Sequence, residues 1–244
     1  MAKVAKVADK VPPLIQNPWH LFLAVASTVR RICLHGMRPG TGKTTAGITL
    51  ANAKDAEVVC VTLTDGKQEA DLLGTWLPAG PGKVMWHDAP IGYAIRRATG
   101  GANVVLVINE IDRGGPEAKD ICYALLETDV AANFTLPNGE KLTIPDTLTI
   151  VATCNPNPAD VLPEPVVNRF QVIIDVGDHV SPMILEALPE AFRGMVADGR
   201  MAAREAFAML DMVSRGLDPY IAVQAVLGTE RAADYADALA IALS

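Results

Sequence analysis

A chain of 244 residues, half of them apolar and few of them aromatic, is long enough for a full α/β core with a smaller satellite unit. Its Ala, Val, Leu and Ile content suits a buried sheet covered by helices better than a sandwich or barrel. A formal charge of −7, with no basic run, argues against indiscriminate binding to DNA or to an anionic membrane.

Met1 to Lys10 carries lysines but no continuous apolar segment and no cleavage site, so residues 1–16 read as a loose tail and not as a signal peptide. A cytoplasmic location is expected. Asn17-Pro18-Trp19 starts a helix to about Arg30, and its apolar stretch Leu21 to Val29 is too short to cross a bilayer. Arg31 to His35 reads as a short strand. Met37 to Thr45 follows as Met-Arg-Pro-Gly-Thr-Gly-Lys-Thr-Thr and runs into a helix to Ala53. Its core, Gly40, Gly42, Lys43 and Thr44, is a phosphate-binding loop, with Pro39, Thr41 and Thr45 completing the cradle. The glycines turn backbone N–H groups inward around the β- and γ-phosphates, Lys43 reaches the same oxygens, and the Thr44 hydroxyl can ligate Mg²⁺. The helix that follows favours anions at its N-terminus. ATP or GTP is therefore the expected ligand. The strict motif wants a glycine where this chain has Met37. Gly36 stands one place early, so the turn must be rebuilt around it or the loop binds phosphate less well.

Val58 to Leu63 is a second strand, and Val104 to Asn109, Thr147 to Cys154 and Gln171 to Val176 are further ones. Helical stretches lie between them, notably Pro116 to Thr128, where Ala118, Ile121, Cys122 and Leu125 share one face. Strands alternating with helices predict a five-stranded parallel sheet with ligand at its carboxyl edge. Trp76 to Trp86 and Phe134 to Ile144 bracket turn residues and read as hairpins projecting from the sheet, outside the core. From Asp178 onward β-type residues thin out into Ala- and Leu-rich helices, which places a boundary near Gly177: an α/β unit over 17–177 and an all-helical lid over 178–244. The four cysteines lack Cys-x-x-Cys spacing and read as buried reduced thiols.

The strand Val104 to Asn109 ends at Asn109-Glu110, where a nucleotide-hydrolysing site holds its metal and water ligands. Glu110 is the candidate general base, able to deprotonate a water facing the phosphate held by Lys43. Asn109 stands where an aspartate usually accepts hydrogen bonds from the metal's waters and from the loop threonine. The amide has the same shape without the charge, so weakened Mg²⁺ binding is expected.

With these pieces in place, the chain from about Pro18 to its C-terminus resembles the AAA+ ATPases of the MoxR, CbbQ and NorQ type. Asp71-Leu72-Leu73-Gly74-Thr75-Trp76 is similar to the start of that family's insertion in its second helix. Asn109-Glu110-Ile111-Asp112-Arg113 resembles its Asp-Glu-Ile-Asn-Arg, differing at Asn109 and Asp112. Ala152-Thr153-Cys154-Asn155-Pro156 is similar to the sensor 1 strand end, which makes Asn155 the polar residue at the lytic water or γ-phosphate. Leu162 to Phe170 resembles Leu-Pro-Glu-Ala-x-x-Asp-Arg-Phe, in which the arginine, here Arg169, enters the neighbouring subunit's site. Sensor 2 falls to Arg204 or to Arg231, and the downstream spacing favours Arg204.

The resemblance implies a P-loop NTPase fold, the AAA+ core followed by a helical lid, ATP with Mg²⁺, and metal ligation involving Thr44 and Asn109. It also implies a hexameric ring that remodels a protein partner, possible partners including a von Willebrand factor A protein. Two other readings stand beside it: a nucleotide-dependent switch with weak hydrolysis, and a DNA-directed motor with Lys67, Lys83, Arg96 and Arg97 near a pore. No membrane association is expected.

Overall fold

The computed structural model describes residues 15–127 and 133–243. Most of the expected tail, and the expected helix end at Thr128, lie outside them. Helix α1 (Pro18–Ala26) begins where Asn17 accepts hydrogen bonds from the amides of Trp19 and His20, with Pro18 at the first helical position. It stops short of Arg30. Strand β1 (Arg31–His35), helix α2 (Lys43–Ala53) and strand β2 (Glu57–Thr62) follow. Next come α3 (Glu69–Leu72), the hairpin β3 (Gly74–Pro78) with β4 (Val84–Asp88), α4 (Pro90–Thr99) and β5 (Val104–Asn109). A 3₁₀ turn (Ile111–Arg113) leads to α5 (Pro116–Leu125), the hairpin β6 (Asn133–Thr135) with β7 (Lys141–Thr143), and β8 (Leu148–Cys154). Two short helices, α6 (Pro158–Val161) and α7 (Glu164–Val167), precede β9 (Val172–Asp175). The remainder is α8 (Pro182–Glu186), α9 (Glu190–Ala197), α10 (Ala203–Ser214) and α11 (Pro219–Leu243), the last broken at Gly228.

The five-stranded sheet has the order β2-β5-β8-β1-β9 and is parallel throughout. Central strand β5 is apolar from Val104 to Ile108, and β8 is buried along its whole length, Thr149 and Thr153 included, because both faces of each strand are covered. Leu106, Ile108, Ile150 and Ala152 pack under α4 and α5 on one side. Val105, Val107, Val151, Ile32 and Leu34 pack under α1 and α2 on the other. The register sets His35 beside Cys154 and Asp175, and Thr62 beside Asn109, along one carboxyl edge. The helices after Val180 carry their own apolar cluster, including Phe192, Met209 and Val223. Among the described residues, no helix is long and apolar enough to cross a membrane.

Two expectations need correction. The hairpin β6–β7 does not project: Phe134, Leu136 and Leu142 are buried in the main core, and Thr99 on α4 donates to Thr143 O at 3.1 Å. Its alternating apolar residues form a face that must be covered. Only β3–β4 leaves its apolar side chains out, with Trp76, Leu77, Val84 and Met85 exposed and Trp76 set edge-on to Trp86. The second correction concerns Cys60, which is exposed because β2 is an edge strand. Cys33, Cys122 and Cys154 are buried free thiols, and burial pushes the Cys122 thiol up to about 12.

Candidate active site

Strand β1 delivers the chain at Gly36, whose amide donates to Asn155 O at 3.1 Å. A Cβ at Gly36 would lie 2.8 Å from Gly177 O, so backbone crowding selects glycine there. Met37 needs no such freedom: its φ is not positive, and its side chain is exposed. Gly40 and Gly42 do need it, with φ of 74° and 103°. They turn the loop into the N-terminus of α2, where the first amides have no intrahelical acceptor and face any bound anion.

Lys43 folds beneath this loop. Its Nζ donates to Gly36 O at 2.7 Å and to Arg38 O at 3.2 Å. Burial holds its ammonium below the usual lysine value. Thr44 Oγ1 donates to Asn109 Oδ1 at 2.7 Å, an oxygen that also accepts from Thr153 Oγ1 at 3.4 Å. Thr153 Oγ1 in turn accepts from the Glu110 amide at 3.3 Å. One hydrogen-bonded chain therefore ties α2, β5 and β8 together at the sheet edge. Glu110 sits in the left-handed region, at φ 54° and ψ 48°, a conformation that costs a non-glycine residue about 1–3 kcal/mol. Arg113 pairs with its carboxylate at 3.2 Å.

Lys43, Thr44, Asn109, Glu110 and Thr153 line a cavity of about 710 Å³, within the size range of small-ligand sites. The loop from Pro39 to Thr45, Asn109, Glu110 and Asn155 form its floor; Met183, Ile184, Arg204 and Phe207 come from the C-terminal helices. Arg204 faces this cavity from the first turn of α10. Arg231 does not: it donates to Glu205 Oε1 at 2.8 Å, and that bond raises its pKa. Arg169 lies outside the cavity, bound to Glu127 and Pro165 O and stacked on Tyr123. Of the basic residues considered for DNA, Arg96 is paired with Asp88 and Glu140, and Arg97 with Glu57.

Thr153, Met183 and Phe207 also line the cavity and are not among the residues the sequence singles out. Thr153 was findable, one residue before Cys154-Asn155 on the strand beside β5. Met183 on α8 and Phe207 on α10 come into reach only through tertiary packing.

The residues fit a magnesium nucleotide. Thr44 spends its proton on Asn109, leaving its oxygen lone pairs for a cation. Among the described residues no group of three His, Cys, Asp or Glu is gathered for a metal; a Mg²⁺ carried by a nucleotide would take most of its ligands from phosphate and water. The Thr41 hydroxyl is buried without a partner in the same loop.

Residues 31–170 match the family of the AAA domain (dynein-related subfamily). The chain is 32% identical over 153 residues to Lon protease homolog 1, mitochondrial, of Arabidopsis thaliana, covering 60% of this chain and 15% of that one. It is 33% identical over 145 residues to the Lon protease of Methylocella silvestris, covering 57% of this chain and 17% of the relative. It thus spans only a small part of each of these relatives. In fold it is similar to a RuvB mutant of Thermotoga maritima, at a TM-score of 0.50 and 16% identity, covering 88% of this chain and 69% of that one.

Proposed function

The chain belongs to the AAA domain family, dynein-related subfamily, and on that premise we propose that it is a Mg²⁺-dependent ATPase of the MoxR type, acting in the cytoplasm as a hexameric ring that remodels or activates a protein partner. The observation that carries this reading is the meeting, in one cavity, of the Lys43 loop, the Asn109-Glu110 strand end, Asn155 and the lid's Arg204. Loop amides and Lys43 hold the β- and γ-phosphates, and Lys43 exchanges its carbonyl partners for them. Glu110 orients and deprotonates the attacking water, and Asn155 holds that water or the γ-phosphate. Arg204 reaches the phosphates from the lid, over residues 178–244. Held by Thr44 and through its waters by Asn109, Mg²⁺ would neutralise charge on the phosphate oxygens.

Arg169 lies outside its own cavity, which supports action on a neighbouring subunit. The exposed apolar tip of β3–β4 is the surface offered to a protein client. A von Willebrand factor A protein is the candidate partner carried by resemblance. The DNA-motor reading loses support because Arg96 and Arg97 are already paired with carboxylates.

One observation favours the weakly hydrolysing switch: Asn109 supplies no charge where the metal's waters would bind. The two are separated by Glu110→Gln, tested for ATP binding and for steady-state hydrolysis. Loss of a general base should lower turnover by about 10²- to 10⁴-fold with binding retained. ATP binding without any Glu110-dependent turnover in the parent protein would put the switch ahead.

A further inference from the structure

Arg169, just after α7, is engaged on three sides within its own subunit. Its Nη2 donates to Glu127 Oε2 at 2.5 Å and its Nη1 to Pro165 O at 2.9 Å. Its Cζ lies 3.8 Å from the centre of the Tyr123 ring, a cation–π contact with the face of the guanidinium. Tyr123 lies on α5, and Glu127 two residues beyond that helix, so one short stretch supplies both contacts.

The fourth side is unsatisfied. Nε is buried and has no hydrogen-bond partner. A guanidinium presents Nε and one terminal nitrogen as a parallel pair of donors, matched to two oxygens of one oxyanion. Glu127 meets only the terminal nitrogen of such a pair. The edge that a phosphate would take bidentately is therefore held by a carboxylate through a single bond, while the ring of Tyr123 keeps the plane of the group fixed.

Resting on the trans-arginine reading above, we propose that Tyr123 and Glu127 are the positioning residues of Arg169. Tyr123 sets the plane of the guanidinium, and Glu127 occupies its anion-binding edge until a phosphate of the neighbouring subunit's nucleotide takes that place. The two residues then act with opposite sign. Tyr123 supports turnover, and Glu127 opposes it by competing with phosphate for the same donors.

The test is ATP hydrolysis against protein concentration for the parent, Arg169→Ala, Glu127→Gln, Tyr123→Leu, Tyr123→Phe and the Glu127→Gln/Arg169→Ala pair, each checked by thermal melting. Glu127→Gln should raise turnover, or lower the protein concentration for half-maximal activity, by about threefold to tenfold, as expected for one charge-assisted bond that is partly exposed. Tyr123→Leu should lower turnover by a similar factor, with Tyr123→Phe close to the parent because the ring is kept. The gain from Glu127→Gln must vanish in the Arg169→Ala background. Should Glu127→Gln destabilise the fold, Glu127→Asp, which withdraws the carboxylate by one methylene, must show a smaller gain of the same sign. A Glu127→Gln activity at or below the parent, or a gain that persists without Arg169, overturns the exchange. Parent-like turnover in Arg169→Ala instead removes the trans-arginine reading itself, and the inference with it.

Discussion

Replacing Asn109 by Asp restores a charge at the point where the structure ties α2 to β5. The Asn109 Oδ1 accepts from Thr44 Oγ1 at 2.7 Å, so the new carboxylate needs no change of geometry to accept the same proton. A neutral hydrogen bond contributes about 0.5–1.5 kcal/mol and one to a charged group about 1.5–3 kcal/mol, so a bond from a water of the metal to Asp instead of Asn gains about 1–1.5 kcal/mol, or about tenfold in Mg²⁺ affinity. Repulsion from Glu110 offsets little of this, because the Glu110 side chain is 37% exposed and screened by solvent. The assay is steady-state ATP hydrolysis at fixed ATP with free Mg²⁺ varied. Asn109→Asp should reach half-maximal rate at about one tenth of the parent's Mg²⁺ concentration. Asn109→Ala, which strips Thr44 of its acceptor, should need more Mg²⁺ than the parent. An Asn109→Asp curve that overlays the parent's would show that Asn109 is not near the metal.

Arg204 on α10 and Arg231 on α11 should separate cleanly. Arg204→Ala should lower ATP turnover at least tenfold, as for loss of a charged contact to phosphate, while Arg231→Ala should cost only about 1 kcal/mol or less of stability through its partly exposed pair with Glu205 and leave turnover intact; the reverse pattern would reassign sensor 2 to Arg231. Gly92→Ala tests the packing of α4, since its Cβ would lie 2.0 Å from Leu73 O. Overpacking against backbone costs about 1–3 kcal/mol or more, read as a lowered melting temperature, and an unchanged melt would mean that α4 does not sit against the turn before β3.

Strands buried on both faces were the easiest elements to read. Val104 to Asn109 is legible to the residue because a central parallel strand is apolar up to its carboxyl end, where Asn109 stands. The phosphate loop was equally plain, since Gly40 and Gly42 adopt backbone conformations that other residues avoid. Cys60 was misread because nothing in Val58-Val59-Cys60 tells an edge strand from a central one; that depends on the strand order. The β6–β7 hairpin packs into the core although its sequence reads as projecting, and the signal is present: Phe134 on β6 with Leu136 just after it, and Leu142 on β7 with Ile144 just after it, alternate as a buried face does. The left-handed backbone of Glu110 and the clamp on Arg169 were out of reach, because one is set by local strain at the strand end and the other joins residues 42 positions apart.

If Arg169 completes the nucleotide site of a neighbouring subunit, two variants with different defects should complement each other when mixed. Glu110→Gln lacks the base and Arg169→Ala lacks the trans arginine, so each alone should be nearly inactive. In a mixed ring, some sites pair an intact Glu110 with an intact Arg169 from the neighbour. Mixing equal amounts of the two variants and measuring ATP hydrolysis should therefore restore about a quarter of the parent activity, on the expectation of random assembly and independent sites. A mixture no more active than its parts, from two variants that each bind ATP and assemble with the other, would contradict the shared site.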